Sequence, residues 1–268
     1  MAAAAAAAGE GEAAPRTVTR ALGDMNDSST TRLAVEVCHG SYTVLQRLTS
    51  MNHGMALWDS GLGFCQYLEA NPRLLESLRG KRLLEVGAGC ALVSMVAARA
   101  GAAATATDLP DVVAHAAGCC LANGLPPPTP PAVRAEPGGV APVVYRWGDD
   151  VAPLVAVHGP FDVIVGTDVL YSKALVPVLL HSLVAICRAG AGAGRPAPTI
   201  YIANEVRCAD THAAFLALAD ELFTLKAIPK KRLGATVAAS SVNIYDLHVR
   251  DPPDGRAAGG GGGGGEAV

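Results

Sequence analysis

Rings and charges are both scarce in this 268-residue chain: 4% of the residues are aromatic and 17% are charged. A core must therefore be built from Ala, Val, Leu and Ile, which bury well without any polar handle. No CxxC pair occurs among the seven cysteines (Cys38, Cys65, Cys90, Cys119, Cys120, Cys187, Cys208), so neither a zinc ribbon nor a thioredoxin-type site is written here. Thiols scattered through an aliphatic chain act as small buried hydrophobes and point to a reducing compartment. Basic excess is also missing. With 21 basic against 24 acidic residues the formal charge is −3, which excludes a broad electrostatic footprint for nucleic acid. No apolar run spans a bilayer; the stretch around Leu175 to Ile186 is too short and too broken. The opening poly-Ala stretch lacks a basic n-region, and Glu10 and Glu12 argue against a presequence. There is no GxSxG elbow and no HExxH, so neither a serine nucleophile nor a hydrolytic zinc is indicated. The expectation is a soluble cytoplasmic monomer, with a nuclear location as the alternative, and no metal, membrane or nucleic-acid partner.

Glycine and proline are abundant, at 30 and 18 residues, but concentrate in the ends and one loop. Residues 1–30 read as a disordered Ala-rich tail and 252–268 as a disordered Gly-rich one, leaving a single domain over 31–251. Inside it, Leu33 to Val37 and Tyr42 to Leu45 predict a short hairpin bent at His39-Gly40, and Gly61 to Leu68 a helix. Strands are then predicted at Arg82 to Val86, Ala103 to Thr107, Val143 to Arg146, Phe161 to Val165, Thr199 to Ala203 and Val242 to Val249. Helices are predicted at Ala91 to Ala100, Val112 to Asn123, Leu175 to Ala189 and Thr211 to Phe223, with a Pro/Gly-rich loop over Leu125 to Val140. Alternating strands and helices call for an α/β fold with a parallel sheet covered on both faces.

The strand that runs into Gly87-Ala88-Gly89 and then a helix is the layout of a nucleotide-cofactor site. Glycines admit a close backbone approach, and helix N-terminal N–H groups face the ligand. A dinucleotide fingerprint would need a third Gly where Leu92 stands, which weakens a nicotinamide or flavin assignment. Glu85, two residues before Gly87, is placed to reach donor groups of a ligand. Asp108 ends the next strand roughly 20 residues after the turn, where an acid grips ribose hydroxyls.

Four segments in order carry a resemblance: Leu57-Trp58-Asp59-Ser60, the Glu85 to Gly89 turn with Asp108-Leu109-Pro110 after it, Arg146-Trp147-Gly148-Asp149, and Phe161-Asp162-Val163-Ile164 through Asp168-Val169-Leu170-Tyr171. Together they resemble the family-16 seven-strand S-adenosylmethionine-dependent methyltransferases, the group that contains protein-lysine methyltransferases. The likeness covers roughly Leu33 to Val249. It implies a Rossmann-like seven-strand class I methyltransferase fold with a short N-terminal β-hairpin, S-adenosyl-L-methionine as cofactor, and a protein lysine side chain as acceptor. It further implies that Gly87, Ala88 and Gly89 line the methionine moiety and Asp108 binds the ribose. Trp147 would cover the adenine, Trp58 would close the pocket, and Thr167 would touch the cofactor through its backbone. Asp168 and Tyr171 match the DxxY motif beside the methyl-accepting group. One departure is Cys90-Ala91, where the family carries small or hydroxyl residues and Gly.

Each position also has a plainer use. The tryptophans could fill core, Asp168 could cap a helix near Lys173, Glu205 and Arg207 could form a salt-bridged rim, and His115 and Cys119-Cys120 could be simple helix packing. Acceptors other than lysine, such as protein histidine or a small amine, stay open, as does a non-catalytic interaction module.

Overall fold

The computed structural model describes residues 17–22, 32–47, 53–128, 134–192 and 195–250. Most of both predicted tails, and the centre of the 125–140 loop, lie outside the described residues.

A small sheet comes first. β1 (Thr17–Thr19) pairs in parallel with β2 (Arg32–Val37), which pairs antiparallel with β3 (Gly40–Leu45). The β2–β3 hairpin turns through Cys38 and His39, both left-handed at φ 52° and 58°, as a tight two-residue hairpin requires. The expected hairpin is thus present, but its turn lies at Cys38-His39, one residue before the expected His39-Gly40, and Gly40 opens β3. β1 corrects the sequence, which places these residues in the tail. A Thr-Val-Thr triplet is too short to declare a strand, and it is held from outside: Arg20, just beyond it, is buried and pairs with Asp59 at 2.6 Å.

The main body is a seven-stranded sheet. Its elements in chain order are α1 (Asp59–Ala70), α2 (Pro72–Ser77), β4 (Arg82–Val86), α3 (Leu92–Arg99), β5 (Ala103–Asp108), α4 (Pro110–Ala122), β6 (Val140–Val144) and α5 (Ala152–His158). There follow β7 (Val163–Thr167), α6 (Val176–Ala189), β8 (Thr199–Glu205), α7 (Ala209–Leu222), β9 (Phe223–Ala227), α8 (Ala235–Ala238) and β10 (Val242–Val249). The strand order is β6-β5-β4-β7-β8-β10-β9. Side chains of β4 alternate: Leu83 joins the core shared with α1, α3 and α4, while Leu84 and Val86 join the core shared with α5, α6 and α7. Two aliphatic cores therefore sandwich the sheet, as the near-continuous apolar strands demand.

The sheet is not all parallel, which corrects the sequence prediction. β10 runs antiparallel to both β8 and β9. α7 passes directly into β9, and the short return over residues 228–241 has no long crossover helix, so β10 comes back in the opposite direction. β6 begins at Val140 rather than Val143 and contains Pro142; it bonds only to β5, and an edge strand tolerates the missing N–H. The short elements α2, α5, β9 and α8 escaped prediction. No helix among the described residues is long and apolar enough to cross a membrane.

One consequence positions the site. Successive crossovers leave β4 in opposite directions, toward β5 and, later, toward β7. At such a switch point the loops diverge and leave a crevice beyond the carboxyl ends of the strands.

Candidate active site

That crevice is a cavity of about 820 Å³, within the size range of small-molecule and cofactor sites. Trp58, Glu85, Gly87, Ala88, Gly89, Asp108, Trp147, Thr167, Asp168 and Tyr171 all line it. Every site residue singled out in the sequence is therefore brought to one place.

The closed end is built locally. Val86 ends β4, and Gly87 and Gly89 follow at φ 63° and 55°, conformations that favour glycine. Space is the second constraint: a Cβ on Gly87 would stand 2.9 Å from Val169 Cγ1, and one on Gly89 2.9 Å from the carbonyl oxygen of Gly54. Ala91 is left-handed too, at φ 57°, but its methyl is fully buried and does not line the cavity. The departure from the family pattern at this position thus leaves the ligand side of the turn clear.

Asp108 closes the turn from the neighbouring strand. Its Oδ2 accepts the Gly89 N–H at 3.0 Å and its Oδ1 the Leu109 N–H at 2.8 Å. Burial raises its pKa against those two bonds. Each oxygen keeps lone-pair capacity toward the cavity, which suits a vicinal diol. Glu85 is 1% exposed. One oxygen, Oε2, accepts both the N–H (2.9 Å) and the hydroxyl (2.6 Å) of Ser94 in α3. Burial pushes the carboxyl up to about 7 although the Ser94 bonds favour its charge. Much of Glu85 therefore serves to hold α3 to the turn, a use the sequence did not reveal.

The mouth is assembled from distant segments. Trp58 sits extended at the start of α1, its indole N–H donating to the His53 carbonyl at 3.0 Å. Trp147 lies in the loop after β6 and is half-buried against the α6 side of the core; its ring centroid is 6.2 Å from that of Tyr171. Tyr171 is 65% exposed at the rim. Thr167 is the last residue of β7, and its hydroxyl packs toward Gly61 of α1.

Asp168 follows at φ 59°, a left-handed conformation that Asp tolerates better than most residues. It does not cap α6, which starts at Val176 behind Leu175. Its two oxygens accept a forked pair of bonds from Arg207, at 2.8 and 2.7 Å. The same guanidinium donates to Glu205 at 2.9 Å and lies 4.8 Å from the Trp58 ring. Burial raises the Asp168 pKa, and the Arg207 guanidinium works against that rise. Arg207 is thus the chief residue whose place at the site the sequence left undecided. Asn204 is another: its Oδ1 accepts the Leu170 N–H at 3.1 Å and so sets the Asp168–Tyr171 loop. The basic cluster Lys230-Lys231-Arg232 stays outside, with Lys230 tied to the carbonyls of Ser240 and Val242.

A family model described as "Lysine methyltransferase" matches residues 42–221. The chain belongs to the lysine methyltransferase family. Among similar members, the Mus musculus EEF1A lysine methyltransferase 3 is 32% identical over 154 residues, covering 56% of this chain and 55% of that protein. The Danio rerio protein N-lysine methyltransferase METTL21A is 32% identical over 129 residues, 47% of this chain and 52% of its own. The chain thus spans about half the length of these curated relatives. A solved T. thermophilus 16S rRNA N2 G1207 methyltransferase, in complex with AdoMet and guanosine, shares the fold at TM-score 0.50 and 16% identity, over 82% of this chain and 50% of that one. The lysine methyltransferase family and the class I methyltransferase fold therefore stand on separate grounds.

Proposed function

We propose that this protein is an S-adenosylmethionine-dependent methyltransferase acting on the side-chain amine of a lysine in a protein substrate. The observation that carries the proposal is the convergence of the glycine turn, the backbone-held Asp108 and the Asp168–Arg207 pair on a single cavity. The relatives named for protein-lysine methylation favour the same acceptor.

The bound cofactor supplies a methyl carbon activated on a sulfonium. Asp108 would accept hydrogen bonds from the ribose hydroxyls, Trp147 would cover the adenine, and the turn at Gly87 to Gly89 would leave room for the methionine moiety. At the mouth, the residues must manage a proton. A free lysine amine has a pKa of about 10.4 and is mostly charged near neutrality, so it cannot attack. A lone carboxylate beside it would hold that proton more firmly. Arg207 neutralises Asp168 in advance, and the remaining lone pairs of Asp168 still orient the amine without stabilising its cation. Trp58 and Tyr171 would wall the approach of the attacking nitrogen from two sides.

We further assign the protein to the cytoplasm, with a nuclear pool allowed, as a monomer that works without nucleic acid. Seven free thiols and the small net negative charge favour this placement.

The test is transfer of labelled methyl from S-adenosylmethionine into a whole-cell protein extract, with Asp108→Ala as control. The expected result is label in a discrete protein band, absent with the variant and recovered as methyl-lysine after hydrolysis. Recovery as methyl-histidine, or label only in small molecules, overturns the acceptor assignment. Absence of transfer with cofactor binding intact overturns the activity.

A further inference from the structure

Behind the glycine turn lies a cluster that the methyltransferase assignment does not use. Cys90 belongs to the turn itself, His115 and Cys119 lie four residues apart on one face of α4, and the carbonyl of Leu45 ends β3. Cys90 Sγ and Cys119 Sγ stand 3.7 and 3.8 Å from His115 Nε2. Leu45 O is 3.4 Å from Cys90 Sγ, 3.6 Å from Cys119 Sγ and 2.9 Å from His115 Nε2. The three side-chain atoms all lie within 4.8 Å of one another.

We propose that Cys90, His115 and Cys119, with the Leu45 carbonyl oxygen, form a binding site for a soft transition-metal cation, with Zn²⁺ as the divalent occupant. The dimensions fit. Tetrahedral zinc, with bonds of roughly 2.0–2.3 Å to N, O and S, sets its ligand atoms about 3.3–3.8 Å apart. Four of the six edges of this quartet measure 3.4–3.8 Å, the Leu45 O–His115 Nε2 edge is shorter at 2.9 Å, and the two sulfurs lie within 4.8 Å. The chemistry fits as well: two thiols and an imidazole are the donor set that selects Zn²⁺ or Cu⁺ over Mg²⁺ or Ca²⁺.

Hydrogen bonding alone leaves the cluster poorly satisfied. With neutral groups, the His115 ring N–H and one thiol fill the two lone pairs of the Leu45 oxygen, and the other thiol is left with the neighbouring sulfur, a weak acceptor. If His115 Nε2 donates there, it has no lone pair for either sulfur. A cation at the centre resolves the conflict, because all four atoms then point lone pairs inward. Access is provided from the main cavity, whose wall includes Cys90. The His-x-x-x-Cys spacing on α4 is local, but Cys90 and Leu45 come from elsewhere, which is why no CxxC-type signature announces the site. Bound there, the ion would tie three segments together: the end of the N-terminal hairpin, the glycine turn and α4.

The test uses the full-length protein, reduced and stripped with a chelator, then titrated with Co²⁺ and displaced with Zn²⁺. The expected result is a single equivalent of Co²⁺ giving a thiolate-to-metal charge-transfer band and the intense visible bands of tetrahedral cobalt, both bleached by Zn²⁺. Cys119→Ser and His115→Ala should each weaken Zn²⁺ binding by more than the roughly 10–100-fold expected for loss of a partner behind a ligand. Cys208→Ser, at an exposed thiol outside the cluster, should leave it unchanged. His115 is only half-buried, so its variant keeps the test open if Cys119→Ser fails to fold. A cobalt spectrum without thiolate charge transfer, bands that survive both substitutions, or a Cys90–Cys119 disulfide in place of metal overturns the proposal. Calorimetric binding of S-adenosylmethionine to the same samples reports separately on the methyltransferase assignment.

Discussion

The closed end and the mouth of the cavity are built by opposite means. At the closed end, residues 85–108 form one uninterrupted strand–turn–helix–strand unit, and its groups are fixed by backbone: Gly87 and Gly89 by their φ, Asp108 by the Gly89 and Leu109 amides, Glu85 by Ser94. At the mouth, Trp58, Trp147, the Asp168–Tyr171 loop and Arg207 come from four separate segments and hold one another through side chains. A ligand that must be bound the same way in every turnover suits the first construction. On the proposed function, an acceptor that must enter, lose a proton and leave suits the second, where partly exposed groups can adjust.

The comparison breaks most visibly at Asp108. Asp108→Ala strands the Gly89 and Leu109 N–H groups and, on the proposed function, removes the charge-assisted contacts to the ribose. It should weaken S-adenosylmethionine binding by about 3 kcal/mol or more, over ~100-fold, as measured by calorimetry. An affinity within a few-fold of the unaltered protein would remove Asp108 from its assigned role.

Glu85 sharpens the claim that the closed end is set by burial. Its carboxyl titrates near 7 in the fold against an ordinary 4.5. Between those values the folded protein holds a proton that the unfolded chain has released, so stability falls as pH rises from 4.5 through 7 and levels off above. Glu85→Gln should cancel this contribution. The variant should gain on the unaltered protein by up to about 3 kcal/mol between pH 4.5 and 8, read from urea melts across that range. A difference independent of pH would contradict the burial account.

Arg207 tests the mouth. Arg207→Ala leaves Asp168 as an unneutralised carboxylate beside the acceptor, so the amine should keep its proton to higher pH. We expect kcat to fall by roughly tenfold near neutrality, with the pH–rate profile displaced upward and cofactor affinity nearly unchanged. Arg207→Lys should restore charge but not the forked geometry, and so rescue the profile in part. A lower kcat with an unmoved profile would reduce Arg207 to a structural tie.

The smallest effect belongs to Ala91. Ala91→Gly relieves a left-handed alanine but gives up a buried methyl, two terms of about 1 kcal/mol each and opposite sign. Thermal melts should differ by less than about 1 kcal/mol, with cofactor affinity unaltered, because the methyl faces the core.

Legibility in the sequence followed the same division. The turn, its acid and the strands around them could be read because glycine, strand ends and apolar alternation are local signals. The hairpin was legible for the same reason, although its turn falls at Cys38-His39, one residue before the expected His39-Gly40. Arg207 was visible only as a rim candidate, since nothing near it in the chain records that Asp168 waits across the crevice. The direction of β10, the strand at Thr17–Thr19 and the edge position that admits Pro142 were hidden as well. Each depends on what lies alongside rather than on what comes next.

The amino-acid sequence by itself determined the α/β class and the glycine turn with its acid, which follow from backbone preference and period acting over a few neighbours. Trp58, Trp147, Asp168 and Tyr171 at the mouth were named by the resemblance to the family and not by any local period. Only the tertiary structure decided how those residues are charged and held. It paired Asp168 with Arg207, raised Glu85 by burial, and gathered Cys90, His115, Cys119 and the Leu45 carbonyl at one point. Burial and through-space electrostatics are properties of the packed chain, and no local pattern of residues encodes them.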